Sequence, residues 1–184
     1  MAGTKVGVVV GSIRKGSFSR ALAKAMCGLN PNLQCEILEI AQLPMYNQDL
    51  DGSPPREWVD FKARIKACDA ILFVTPEYNR SVPGVLKNAI DVASRPYGQS
   101  AWVKKPCMVV SCSPGGIGGF GSNHHLRQCL VFLQMPVMQM EAYVGSVNKL
   151  VNDQGQITSD DTKGFLTKIM QDFGSWIGAT ATKA

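Results

Sequence analysis

Three loops carry residues whose types and spacing suit an anionic, flat ligand. The first is Gly11-Ser12-Ile13-Arg14-Lys15-Gly16-Ser17-Phe18-Ser19. An apolar run over residues 6–10 leads into it, and a helical pattern from Arg20 leads out. The first N–H groups of a helix lack partners and the dipole is positive there, so such a turn favours anions. The chemistry this implies is a phosphate cradle, with Ser12, Ser17 and Ser19 as hydroxyl donors and Arg14 as a forked cation. Gly11 and Gly16 have the spacing of a P-loop, but Ser17 stands where its lysine belongs. No aspartate ends the third apolar run, so NTP hydrolysis is not expected.

The second loop is Thr75-Pro76-Glu77-Tyr78-Asn79-Arg80-Ser81-Val82-Pro83-Gly84. Its prolines fix φ, so its backbone polar groups form a rigid edge for a flat heterocycle. Tyr78 offers a ring face and Asn79 an amide; Tyr78 reads equally as a packing residue, and Glu77 at least as well as a cap or ion-pair partner as a catalytic group. Lys87 and Asn88 read as structural.

The third loop contains a literal G-x-G-x-x-G at Gly116, Gly118 and Gly121, with Glu141 twenty residues further on. That is the pattern of a dinucleotide fingerprint. Pro114 and Gly115 separate its first glycine from the strand, however, and the unit is the fourth in the chain. It reads better as a small-residue loop that a flat cofactor approaches closely, with Ser113 as the polar contact.

Other chemistries find less support. His124 and His125 are adjacent, so on a helix they point about 100° apart and chelate one metal poorly. A surface or subunit-contact role suits them, alongside Arg127 and Gln128, and no metal is expected. No G-x-S-x-G elbow supports a hydrolase. The cysteines at 27, 35, 68, 107, 112 and 129 form no C-x-x-C pair and read as reduced, buried thiols of a cytosolic protein. The net charge of +5 is dispersed, without a basic run, which suits anionic small molecules and argues against a nucleic-acid role. The N-terminus lacks a leader pattern and no segment is long enough to span a membrane, so a cytoplasmic protein is expected.

The elements that must position these loops alternate. Strands are predicted over residues 5–11, 34–40, 70–75, 106–113 and 135–140. Helices are predicted over 19–29, from Pro55 through Cys68, and over 83–95, 122–133 and 158–177, the last capped near Ser159 or Asp160. Residues 41–55 form a long polar loop. The β-α alternation over 184 residues predicts one domain, residues 1–184, with a five-stranded parallel sheet and helices on both faces. The fitting strand order is the flavodoxin-like 2-1-3-4-5, a three-layer α/β sandwich in which ligands bind beyond the carboxyl ends of the strands.

The first two loops, with Leu86-Lys-Asn-Ala-Ile-Asp91, together resemble the NADPH-dependent FMN reductase family, and within it the bacterial chromate and quinone reductases. The similarity extends from the first strand to the last helix. The resemblance implies non-covalent FMN, with NADPH or NADH as co-substrate, in homodimers or homotetramers. By position, Ser12, Arg14, Ser17, Phe18 and Ser19 would hold the FMN phosphate. Pro76, Glu77, Tyr78 and Asn79 would line the isoalloxazine ring, and Ser113 and Gly115 would complete the site. It implies a ping-pong hydride transfer with no dedicated protein acid or base. Acceptors would be quinones, with chromate, ferric complexes or azo compounds as side substrates. Some relatives carry tyrosine where His124 stands and arginine where Gly121 stands, in a region linked to tetramer contacts. Two other readings are a flavodoxin-type electron carrier, which such proteins' usual acidity opposes, and a nucleotide-binding regulator using the glycine loop.

Overall fold

A computed structural model of the chain describes residues 3–152 and 154–180. The expected alternation is present. Strands β1 (Thr4–Val10), β2 (Leu33–Ile37), β3 (Ala70–Thr75), β4 (Cys107–Cys112) and β5 (Ala142–Val144) form one parallel sheet in the order β2-β1-β3-β4-β5. The helices are α1 (Phe18–Cys27), α2 (Arg56–Lys66), α3 (Gly84–Ser94), α4 (Phe120–Phe132), the short α5 (Val147–Leu150) and α6 (Asp160–Thr180).

The central strands are apolar without alternation because both faces of the sheet are covered. Val6, Val8, Val10, Leu72, Val74, Met108 and Val110 pack against α1 and α6. Val9, Ile71, Phe73 and Val109 face α2, α3 and α4. Phe73 is fully buried, with its ring centroid 5.7 Å from that of Trp102. Emptying such a site costs about 3–5 kcal/mol.

The fifth strand departs from the sequence expectation. The apolar run 135–140 only begins to pair: Val137 bridges Cys107, with Cys107 N–H donating to Pro136 O and Met138 N–H to Cys107 O. The strand proper is Ala142–Val144, paired with Val110 to Cys112. From the Cys107–Val137 bridge to the Val110–Ala142 pair, β4 advances three residues and its partner five. The extra length bulges out at Gln139 and Met140, and Pro136 has no N–H to give the ladder. Met135 and Met138 are nonetheless core residues.

Other boundaries shift modestly. β2 ends at Ile37. Helix α4 starts at Phe120, ahead of the expected Ser122, because Gly119 at φ 80° turns the chain into it. Ser159 Oγ accepts the Thr162 N–H at 3.3 Å, the anticipated cap of α6. The 41–55 loop holds one 3-10 turn, Gln48–Leu50. It is pinned by Asn88 of α3, whose Oδ1 accepts from Tyr46 N–H at 2.8 Å and whose Nδ2 donates to Leu43 O and Pro44 O.

Candidate functional site

Helices antiparallel to a parallel sheet bring their N-termini to the strands' carboxyl ends. The turns after β1, β3 and β4 therefore share one edge, where doubly wound sheets take their ligands.

At the first turn, Ser17 is the N-cap of α1, its Oγ accepting the Arg20 N–H at 3.1 Å. Ser12 is buried, and its Oγ accepts the Arg14 N–H at 3.4 Å. Ser19 turns inward: it is 2% exposed, and its Oγ accepts the Cys112 thiol at 3.4 Å. Its hydroxyl serves the core, and its backbone N–H faces the cradle from the first helical turn. Among the described residues, the N–H groups of Gly16, Ser17, Phe18 and Ser19 have no hydrogen-bond partner. No acidic side chain occupies the first turn of α1. Arg14 is exposed, with Cζ 4.9 Å from the Phe18 ring centroid, a cation–π contact that orients it. Arg20 is committed elsewhere, in a two-pronged pair with Glu39 at 2.8 and 2.5 Å.

The second turn is a tight hairpin. Tyr78 and Ser81 exchange backbone hydrogen bonds at 3.1 and 2.9 Å, with Asn79 and Arg80 at φ 49° and 61°. Two successive left-handed residues make a type I′ turn, tolerated by asparagine and strained for arginine. The turn presents the Tyr78 ring, 54% exposed, and the Asn79 amide at the edge. Pro76 precedes it, its carbonyl accepting from Thr75 Oγ1 at 2.8 Å. The Glu77 side chain points into α4, where Oε2 accepts the Ser122 N–H at 3.1 Å, and Arg80 lies 3.4 Å from Oε1. The capping and ion-pair readings of Glu77 both describe its side chain.

The glycine loop is built on its own backbone. Ser113 Oγ accepts the Gly115 N–H at 3.0 Å, and Gly115 O accepts from Gly118 and Ser146. A Cβ on Gly118 would meet Val144 N at 2.9 Å, and one on Gly121 would meet Arg80 O at 2.6 Å. These two glycines of the apparent fingerprint serve close packing inside the protein. Gly116, exposed and with nothing within 4 Å of a Cβ, leaves the loop open on its outer side.

Sequence reasoning left a neighbouring network unassigned. His124 Nε2 lies 2.9 Å from Tyr143 Oη, which donates to Glu141 Oε2 at 2.5 Å, and Phe120 packs on His124 at 4.3 Å. Burial and the Glu141 hydrogen bond push the Tyr143 phenol up to about 12. His125 Nδ1 is 3.0 Å from Ser81 Oγ, so the two histidines diverge to different partners. A cavity of about 450 Å³ lies between α2 and α3, lined by Trp58, Lys62 and Arg95 among others. None of the anion donors lines it, so the strand edge remains the candidate site.

The free N–H groups, the absence of acid, the oriented Arg14 and a rigid hairpin at the same edge suit a phosphate joined to a flat ring, the donor set FMN requires. With this sheet order, the protein is a flavodoxin-like α/β protein with a candidate site at the strand ends. Residues 4–149 match the profile of the NADPH-dependent FMN reductases. The chain belongs to the NADPH-dependent FMN reductase family. It is 57% identical over 175 residues to a quinone reductase of Pseudomonas putida, covering 94% of each chain. It is 42% identical to a 2-hydroxy-1,4-benzoquinone reductase of a Burkholderia species, covering 94% of this chain and 96% of that one. Among solved structures it is similar to FerB, a flavoenzyme NAD(P)H:(acceptor) oxidoreductase from Paracoccus denitrificans. The TM-score is 0.92 at 39% identity, over 97% of this chain and all of that one.

Proposed function

We propose that this chain is an FMN-dependent NAD(P)H oxidoreductase that reduces quinones, working as one domain over residues 1–184. The observation that carries the reading is the open N–H cradle at the start of α1 beside the 75–84 hairpin. Similarity over nearly the whole length to a quinone reductase supports it.

In this reading Ser12, Arg14, Ser17, Phe18 and Ser19 hold the FMN phosphate, Ser19 through its N–H and Arg14 as a charge-assisted donor. Pro76, Glu77, Tyr78 and Asn79 lie along the isoalloxazine ring, with Glu77 contributing backbone there and its carboxylate to α4. Ser113 and Gly115 close the other side. Bound FMN supplies two-electron hydride transfer from NAD(P)H to the acceptor. The chain's own work is positioning by the rigid hairpin and fixed dipoles at the strand edge. Exposed Arg14, Lys15 and Arg80 favour anionic co-substrates, and by the same charge admit chromate as a side substrate. No helix among the described residues is long and apolar enough to cross a membrane. A cytoplasmic homodimer or homotetramer completes the reading.

The test is direct. The purified protein should retain a yellow chromophore that extracts as FMN, and should reduce a quinone with NADPH far faster than free FMN does. Turnover no faster than free FMN defeats the enzyme reading in favour of an electron carrier. A colourless protein that retains no added FMN defeats both.

A further inference from the structure

The cavity of about 450 Å³ between α2 and α3 has no part in the strand-end site. Helix α1, which carries the N–H cradle, packs on the opposite face of the sheet from α2 and α3. The cavity has cations of its own instead. Lys62 and Lys66 of α2 and Arg95 at the end of α3 line it, against a single carboxylate, Asp51. Among the described residues none of these three cations is in an ion pair. On the same helix, by contrast, Arg56 and Arg64 are paired with Asp60 and Glu36.

Neighbouring contacts hold these groups at the cavity. Lys62 is half-buried, and its Nζ donates to Arg95 O, which leaves further ammonium N–H groups free to donate. Lys66 lies one helical turn on from Lys62, so two like charges share a face of α2, an arrangement that costs stability without a counter-charge. Burial and the Lys66 charge hold Lys62 below its ordinary value, with Asp51 opposing. The Arg95 guanidinium sits over the Tyr46 ring, its Cζ 5.7 Å from the centroid, which orients the fork. Tyr46 also engages the carboxylate, its Oη lying 3.3 Å from both oxygens of Asp51. The floor is apolar: Trp58 and Val92 are almost fully buried, and the Trp58 indole N–H is taken by Pro44 O at 3.0 Å.

We propose that this cavity binds a phosphate monoester whose body is an apolar ring, at a site separate from the strand-end edge. Three cations against one carboxylate suit a dianion, and the planar fork of Arg95 matches phosphate oxygens. The Trp58 and Val92 floor takes the ring. The volume of about 450 Å³ falls within the range of about 300–1,000 Å³ typical of small-molecule sites. Inorganic phosphate meets the cations but not the floor, and a neutral ring meets the floor but not the cations. Each therefore binds more weakly than the two joined.

The test is a calorimetric titration of the purified protein, saturated with FMN, with 1-naphthyl phosphate. It should bind with a single affinity, and 1-naphthol and inorganic phosphate should each bind at least about tenfold more weakly. Lys62→Met and Arg95→Gln should each raise the Kd about tenfold, and Lys66→Gln, at an exposed side chain, about threefold. The Lys66 variant keeps the test decisive if Lys62→Met, which strips a donor from Arg95 O, fails to fold. The same titration without FMN should return the same affinity at this site, so the result does not depend on the strand-end reading. Absence of binding to the parent, 1-naphthol binding as tightly as its phosphate, or parent-like affinity in both Lys66→Gln and Arg95→Gln overturns the proposal. So does binding that FMN abolishes, which would place the ligand in the strand-end cradle.

Discussion

Glu77 and Ser122 are joined across two loops: the backbone N–H of Ser122 donates to Glu77 Oε2 at 3.1 Å. A carboxylate from the 75–84 hairpin thus satisfies an orphan N–H in the first turn of α4 and faces the positive end of its dipole. Thr75 Oγ1, 3.3 Å from Ser122 Oγ, makes a second tie. Glu77→Ala should lower stability by about 1–2 kcal/mol in urea unfolding. It should also weaken FMN binding several-fold by loosening the hairpin, whereas Glu77→Gln, which keeps an acceptor, should lose less of both. Parent-like stability and FMN affinity in the alanine variant would sink this role.

Arg14 is the exposed cation of the first turn, oriented by Phe18 and paired with no carboxylate among the described residues. Arg14→Ala should cost about 1.5–3 kcal/mol of FMN affinity, roughly a ten- to hundredfold rise in Kd by fluorescence titration. Reduction of the FMN that remains bound should proceed at close to the parent rate in stopped flow. Equal retention of FMN by variant and parent would refute the phosphate contact.

Asn88 fastens the 41–55 loop through three hydrogen bonds while only 5% exposed. Asn88→Ala leaves the part-buried Tyr46 N–H and two carbonyls to find other partners. A loss of about 2–3 kcal/mol is expected, with faster proteolytic nicking between residues 41 and 55. A variant as protease-resistant as the parent would show that the loop is held by its apolar contacts instead.

Glu39 is held below the usual carboxylate range by its hydrogen bonds to Arg20, with burial opposing. A carboxylate depressed in the folded state stabilises fully above its unfolded value of about 4.3 and loses that contribution as pH falls through the lower folded value. Both side chains are substantially exposed, which limits the pair to under about 1 kcal/mol. Glu39→Gln should therefore be slightly less stable than the parent at pH 7, with the gap closing in acid. A gap that persists or widens at low pH would reverse the assignment.

Much of this protein is legible in its sequence because it follows from local rules. The uninterrupted apolar runs of β1, β3 and β4 require a sheet covered on both faces, and their alternation with helical patterns leaves few topologies. The cradle is legible because a strand, a polar turn and a capped helix are consecutive in the chain. Ser17 as the cap needs no distant partner. Other features depend on which residues meet after folding. The run 135–140 is apolar enough for a strand, yet the bulge at Gln139 and Met140 moves the pairing on to Ala142. Gly118 and Gly121 carry a nucleotide pattern, yet close approach to Val144 and Arg80 explains them. Ser19 belongs to the proposed phosphate turn by position, but its hydroxyl went to Cys112, 93 residues away. The sequence alone determined the layers, the strand order and the edge that bears the candidate site. Tertiary structure decided where side chains such as Glu77, Asn88 and Arg20 point. Periodicity specifies which face of an element is buried, and only packing settles which polar group is near enough to complete each hydrogen bond.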